Sequence, residues 1–191
     1  MINQEELQPY LNEVNENVND FTSITNNVVH EQSADLDELM QDLKFALTQT
    51  EAISTDALER YYAELSNLIY FMAERIEKLN VFKDMSKATA KEAYNKAYLK
   101  YSSEKDEKGK SLRTVNENSS LAERDSQYEA TVNTIYANAY TSLSMKLEMA
   151  QEMVNTLKNM LKRRTNEEYY NFQLSNIGNK DRDKDNLEGA F

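Results

Sequence analysis

Two stretches, 54–103 and 121–170, each run about fifty residues without one glycine or proline, and both carry an apolar repeat of seven. In the first, Leu58, Leu65, Met72 and Leu79 recur at that spacing, interleaved by Tyr62, Ile69 and Ile76 at an offset of four. In the second, Tyr136, Leu143, Ala150 and Leu157 repeat, followed at plus four by Tyr140, Leu147, Val154 and Leu161. Only a helix returns such a series to one face, and a helix of about fifty residues at ~1.5 Å per residue runs roughly 70 Å. A compact core has no use for that length, so each helix must pair along its seam. The polar stretch 102–120, with Gly109, is the expected reversal, and Asp84-Met85-Ser86 is the one place for a kink. The reading is all-α: a long antiparallel hairpin packed as a coiled-coil-like bundle, with extra N-terminal helices and a flexible C-terminal tail.

Upstream, Leu7, Val14, Phe21 and Val28 recur at seven, joined by Leu11 and Val18, and Pro9 is tolerated near the helix start. Asn12, Asn15, Asn17 and Asn19 weaken this helix, so it needs a partner surface. Ser33 is expected to cap a second short helix with Leu36, Leu39, Met40, Leu43 and Leu47 on its apolar face. The third helix starts after the cap cluster Ser54-Thr55-Asp56, and the fourth runs from about Leu121 to Tyr170. From Gly178 onward the composition predicts disorder. The domain reading is therefore an acidic helical arm at 1–50, a hairpin body at 51–172 and a flexible tail at 173–191.

Chemistry has little to work with. The 191 residues hold no cysteine and one histidine, His30, which removes thiolate nucleophiles, Cys-built zinc sites and most triads. No nucleotide-binding glycine motif, HExxH or EF-hand loop is present. Asp181, Asp183 and Asp185 alternate as in a calcium loop but lack its glycine and closing glutamate. The expectation is a protein with no catalytic residues, no metal and no cofactor. No apolar run reaches the ~18 residues of a membrane span. With no signal peptide and no cysteine, the cytoplasm is the simplest location, a host cell's if the chain is phage-encoded.

Charge is distributed unevenly. Residues 1–80 carry 16 acidic and 4 basic side chains, whereas 81–170 carry 13 and 15, within a chain of net charge −11. Positions 83–113 alone hold nine Lys/Arg against five Asp/Glu, interleaved with Tyr94, Tyr98 and Tyr101. Lysine for phosphates and flat rings for bases is what single-stranded nucleic acid needs. The expected contacts are Lys83, Lys87, Lys91, Lys96, Tyr98, Lys100, Lys105 and Arg113. The wheel offers a competing role, since Ala90, Tyr94, Ala97 and Tyr101 continue the Leu58–Leu79 seam and would then be core. Lys96 and Lys100 point away from that seam, Lys96 within reach of an ion pair with Glu92. Lys158, Lys162, Arg163 and Arg164 follow late in the fourth helix, where capping competes with phosphate contact.

The order of residues adds a resemblance. Lys96-Ala97-Tyr98-Leu99-Lys100-Tyr101-Ser102 resembles the KARLDYYS stretch of the UvsY recombination mediators of T-even phages. Lys110-Ser111, and after a gap Leu121-Ala122-Glu123-Arg124-Asp125, are similar to that family's next passage, and Tyr140, Leu147 and Lys158 follow in comparable order. The likeness spans roughly residues 54–165. Tyr98 stands where the family has an arginine, and Lys100 where it has an aspartate. The resemblance implies a helical, non-enzymatic, ring-like homo-oligomer. Such a protein binds single-stranded DNA, with Lys96 as a contact, and helps a RecA-type recombinase replace single-strand-binding protein.

Two other classes fit the same pattern. One is a viral structural or scaffolding protein built on coiled-coil helices, and the other a small inhibitor mimicking DNA through the acidic residues of 1–80. The terminal Leu187-Glu188-Gly189-Ala190-Phe191 further resembles the phenylalanine-ended tips of single-strand-binding proteins, against the simpler reading of a frayed end.

Overall fold

Ser54 caps the helix that carries the first seam. Its hydroxyl accepts the Ala57 N–H at 3.2 Å and its carbonyl the Leu58 N–H at 3.1 Å. In the computed structural model the backbone is described at residues 4–49 and 53–188, and the side chains at 18–49 and 53–173. The elements are α1 (Gln4–Thr48), α2 (Thr55–Ser102), α3 (Val115–Asp125) and α4 (Gln127–Glu188). Among the described residues there is no strand, only an isolated antiparallel bridge between Lys105 and Ser111. The helix α2 runs unbroken through 84–86, the one place open to a kink.

Contacts divide the chain into two units, residues 1–34 with 70–147, and 35–69 with 148–191. In the second unit Leu36, Leu43, Leu58, Leu65, Ala150 and Leu157 are buried. The last four fall on the expected repeats of seven, and Leu36 and Leu43 on the expected apolar face. Arg164 Nη1 approaches Thr55 Oγ1 at 3.5 Å, tying α4 to the start of α2.

In the first unit α2 and α4 pack antiparallel. Phe82 stacks on Tyr136 with centroids 5.7 Å apart, and Ser86 Oγ lies 3.4 Å from Asn133 Oδ1. Further up α2, the Tyr101 hydroxyl donates to Asp125 Oδ2. Met72, Ile76, Leu79, Ala139 and Leu143 form the core. Across it, α1 is held by Arg75, which donates to the Gln32 carbonyl at 2.7 Å, and by Lys146, which donates to Ser33 Oγ at 2.9 Å.

Three boundaries differ from the sequence reading. The first is Ser33, which caps nothing: it sits fully buried in the middle of a single helix α1. A serine competes weakly for the backbone once the chain on both sides is helical, and its hydroxyl serves Lys146 instead. The inward stripe of α1 consequently runs through Thr25, Val29, Leu36 and Leu43, one residue out of register with Phe21 and Val28.

The fourth helix is the second difference, for it begins earlier, as α3. Thr114 is its N-cap and Glu117 reaches back to the Thr114 N–H at 2.8 Å, a reciprocal capping box. Ser126 interrupts it, its hydroxyl donating to the Ala122 carbonyl at 2.8 Å.

Thirdly, α4 remains helical to Glu188, through Gly178, where the sequence reading places a flexible tail. One glycine costs a helix only about 1 kcal/mol, so a continuing ladder passes it. The side chains of Leu7, Leu11, Val14, Asp181, Asp183 and Asp185, and the Phe191 tip, lie outside the described residues.

Candidate nucleic-acid interface

The reversal is built by Asp106. Its Oδ1 accepts the backbone N–H groups of Lys108 at 2.9 Å and Lys110 at 2.8 Å, while its N–H donates to the Lys110 carbonyl. The turn closes through Gly109 at φ +75°, the left-handed conformation that only glycine adopts without strain. This presents Lys105, Lys108 and Lys110 on an exposed loop between α2 and α3.

Below the turn, Tyr101 organises the junction. Its ring is buried, with Lys100 Nζ 5.0 Å and Arg113 Cζ 5.3 Å from the centroid. Asp125, which accepts its hydroxyl, is held below the ordinary carboxylate pKa. The Tyr101 hydrogen bond is the main cause, and Arg124 and Lys100 add to it. Tyr101 thus takes the core role, while Tyr94 and Tyr98 are half-buried and stack at 6.2 Å.

The eight expected DNA contacts do not form one surface. Lys83 is engaged internally: its ammonium sits 4.0 Å over the Tyr140 ring and 2.6 Å from Asn80 Oδ1. Arg113 is bonded to Glu104. Lys87, Lys91, Lys96, Lys100 and Lys105 are exposed. At about 100° per residue, Lys83, Lys87 and Lys91 span one flank of α2, and Lys96 is turned about 140° past Lys91. Lys96 and Lys100 therefore make a second row on the far side, adjoining the loop with Lys105. Among the described residues, Lys96 makes no ion pair with Glu92.

Arg163 and Arg164 stand inside α4 rather than at its end. Arg163 pairs with Glu167 at 3.1 Å, so these cations cap no helix terminus.

Sequence reasoning missed Asp125 as a partner, Lys83 on Tyr140, and the start of α3. Only the last had a local signal, the Thr114-Val115-Asn116-Glu117 capping-box pattern. Among the described residues no three His, Cys, Asp or Glu side chains converge on a metal-sized site, and no helix is long and apolar enough to cross a membrane. No protein-family model, curated protein or solved structure matches the chain.

Proposed function

We propose that this chain is a non-enzymatic mediator of phage recombination that binds single-stranded DNA and assists loading of a RecA-type recombinase. The observation that carries the reading is the Tyr101–Asp125 hydrogen bond. It joins two of the short stretches that carry the family resemblance, 96–102 and 121–125, although the reversal separates them in sequence. Lys96 and Lys100 project beside that junction, exposed to solvent. They serve as phosphate contacts, with Lys105 beside them and Lys87 and Lys91 as a lesser row. A homo-oligomer, ring-like as in the resembled family, would multiply such weak contacts by avidity. Its further partners on this reading are the recombinase and single-strand-binding protein, in the cytoplasm of the infected host.

Fluorescence anisotropy with labelled oligo-dT, titrated across salt, tests it. A mediator binds at low salt and loses affinity steeply as salt rises. Absence of binding at low salt would overturn the proposal.

One observation favours a second reading, a viral structural or scaffolding protein. Large apolar side chains are exposed on every long helix, including Phe45, Tyr70, Phe71 and Met149. Such surfaces suit protein assembly. An oligo-dT titration without signal, together with assembly in sedimentation, would select it.

A further inference from the structure

In the first unit, residues 18–34 of α1 and 127–145 of α4 are set apart by charge. Together they hold three carboxylates, Asp20, Glu31 and Glu129, and no lysine or arginine, in a chain with 29% charged residues. An open apolar groove runs between these two segments, lined by Phe21, Ile24, Val28, Tyr128, Val132 and Ile135. Ile24 is 47% exposed and Tyr128 77%. The α1 helix thus carries two stripes. Thr25 and Val29 face the core, whereas Phe21 and Val28, members of its seven-residue repeat, open onto the groove.

We propose that this groove is a self-association surface, covered by the same face of a second copy of the chain. The inference deepens the homo-oligomeric part of the proposed function by assigning it one two-fold contact, beside which a ring would use a second, head-to-tail one, and it stands independently of DNA binding. Charge selects the occupant. Two copies at −11 each repel wherever their acidic surfaces meet within a Debye length of ~8 Å. They meet without that penalty where the face is almost uncharged. A different protein recruited by charge would call for a complementary charged rim, and these two segments have no lysine or arginine and few anions. Depletion of charge around aromatic and branched side chains is the composition of an interface core. A face pairing with itself is also the commonest closed arrangement of identical chains.

The experiment is sedimentation velocity at micromolar concentration on the full chain, with Ile24→Glu and Tyr128→Glu combined. The wild type should sediment at a multiple of 22.2 kDa, and the double variant at 22.2 kDa with unchanged far-UV circular dichroism. Tyr70→Glu, at an exposed aromatic of α2 outside the groove, should keep the wild-type mass. Should the double variant lose helicity, Tyr128→Lys alone decides. A monomeric wild type, an undiminished mass in the deciding groove variant, or dissociation by Tyr70→Glu would each overturn the proposal. Oligo-dT binding separates the two ideas. A wild type that ignores DNA, yet is split by the groove variant, sinks the mediator reading and leaves this one standing.

Discussion

The Tyr101 hydroxyl donates a hydrogen bond to Asp125 across the reversal, joining the last turn of α2 to the last residue of α3. Because that bond depresses the Asp125 pKa, it stabilises the fold when the carboxylate is ionised. Its contribution is complete above the unfolded value of about 3.8 and is lost as pH falls through the lower folded value. Tyr101→Phe should move the Asp125 carboxyl resonance titration upward toward 3.8 and flatten the loss of stability as pH falls below that value. An unchanged NMR titration would show that the bond is not formed in solution.

Lys96 and Lys100 both face solvent, and Lys100 also lies over the Tyr101 ring, so replacing the pair by alanine should cost no more than about 0.5–1 kcal/mol of stability. Anisotropy should show weaker oligo-dT binding, with a salt slope shallower by about 0.7 for each phosphate that is no longer neutralised. Lys83→Ala should behave oppositely. Its ammonium lies on Tyr140, so the variant should lose about 0.5–2 kcal/mol of stability with little change in the slope.

The reversal depends on two backbone devices. Gly109→Ala meets no atom that would crowd a Cβ, yet it forces an L side chain to φ +75° and should cost about 1–2 kcal/mol in urea unfolding. Thr114→Ala removes the cap of α3 and should cost about 0.5–2 kcal/mol. The same change should raise the Glu117 pKa only part of the way toward 4.5, because the larger hold on it, the hydrogen bond from the residue 114 backbone N–H, survives and only the hydroxyl bond is lost.

Leu65 is fully buried, whereas Phe45 is 68% exposed. Leu65→Ala should cost about 2–5 kcal/mol by cavity formation. Phe45→Ala should stay within about 0.5 kcal/mol of wild type. Equal costs in urea unfolding would mean that the outward face of α1 is covered in solution.

Helix type, the extent of α2, the place of the reversal and the buried leucines of α2 and α4 could all be read from spacing. Burial at every seventh position is a local property of a helix, and Leu58, Leu65, Leu143 and Leu157 declare it without reference to any neighbour. The inward register of α1 could not be read that way. Leu36 and Leu43 were legible as an apolar face, but ahead of Ser33 Phe21 and Val28 form as good a stripe as Thr25 and Val29, and only packing against α2 and α4 selects between them. The fate of the cations was equally out of reach. Lys83 and Lys96 look alike in sequence, but one lies against Tyr140, more than fifty residues away, and the other meets water. Periodicity reports which face of a helix is apolar. Which partner covers that face, and which charges are spent inside the molecule, depends on contacts between residues distant in the chain, and those exist only once the helices have docked.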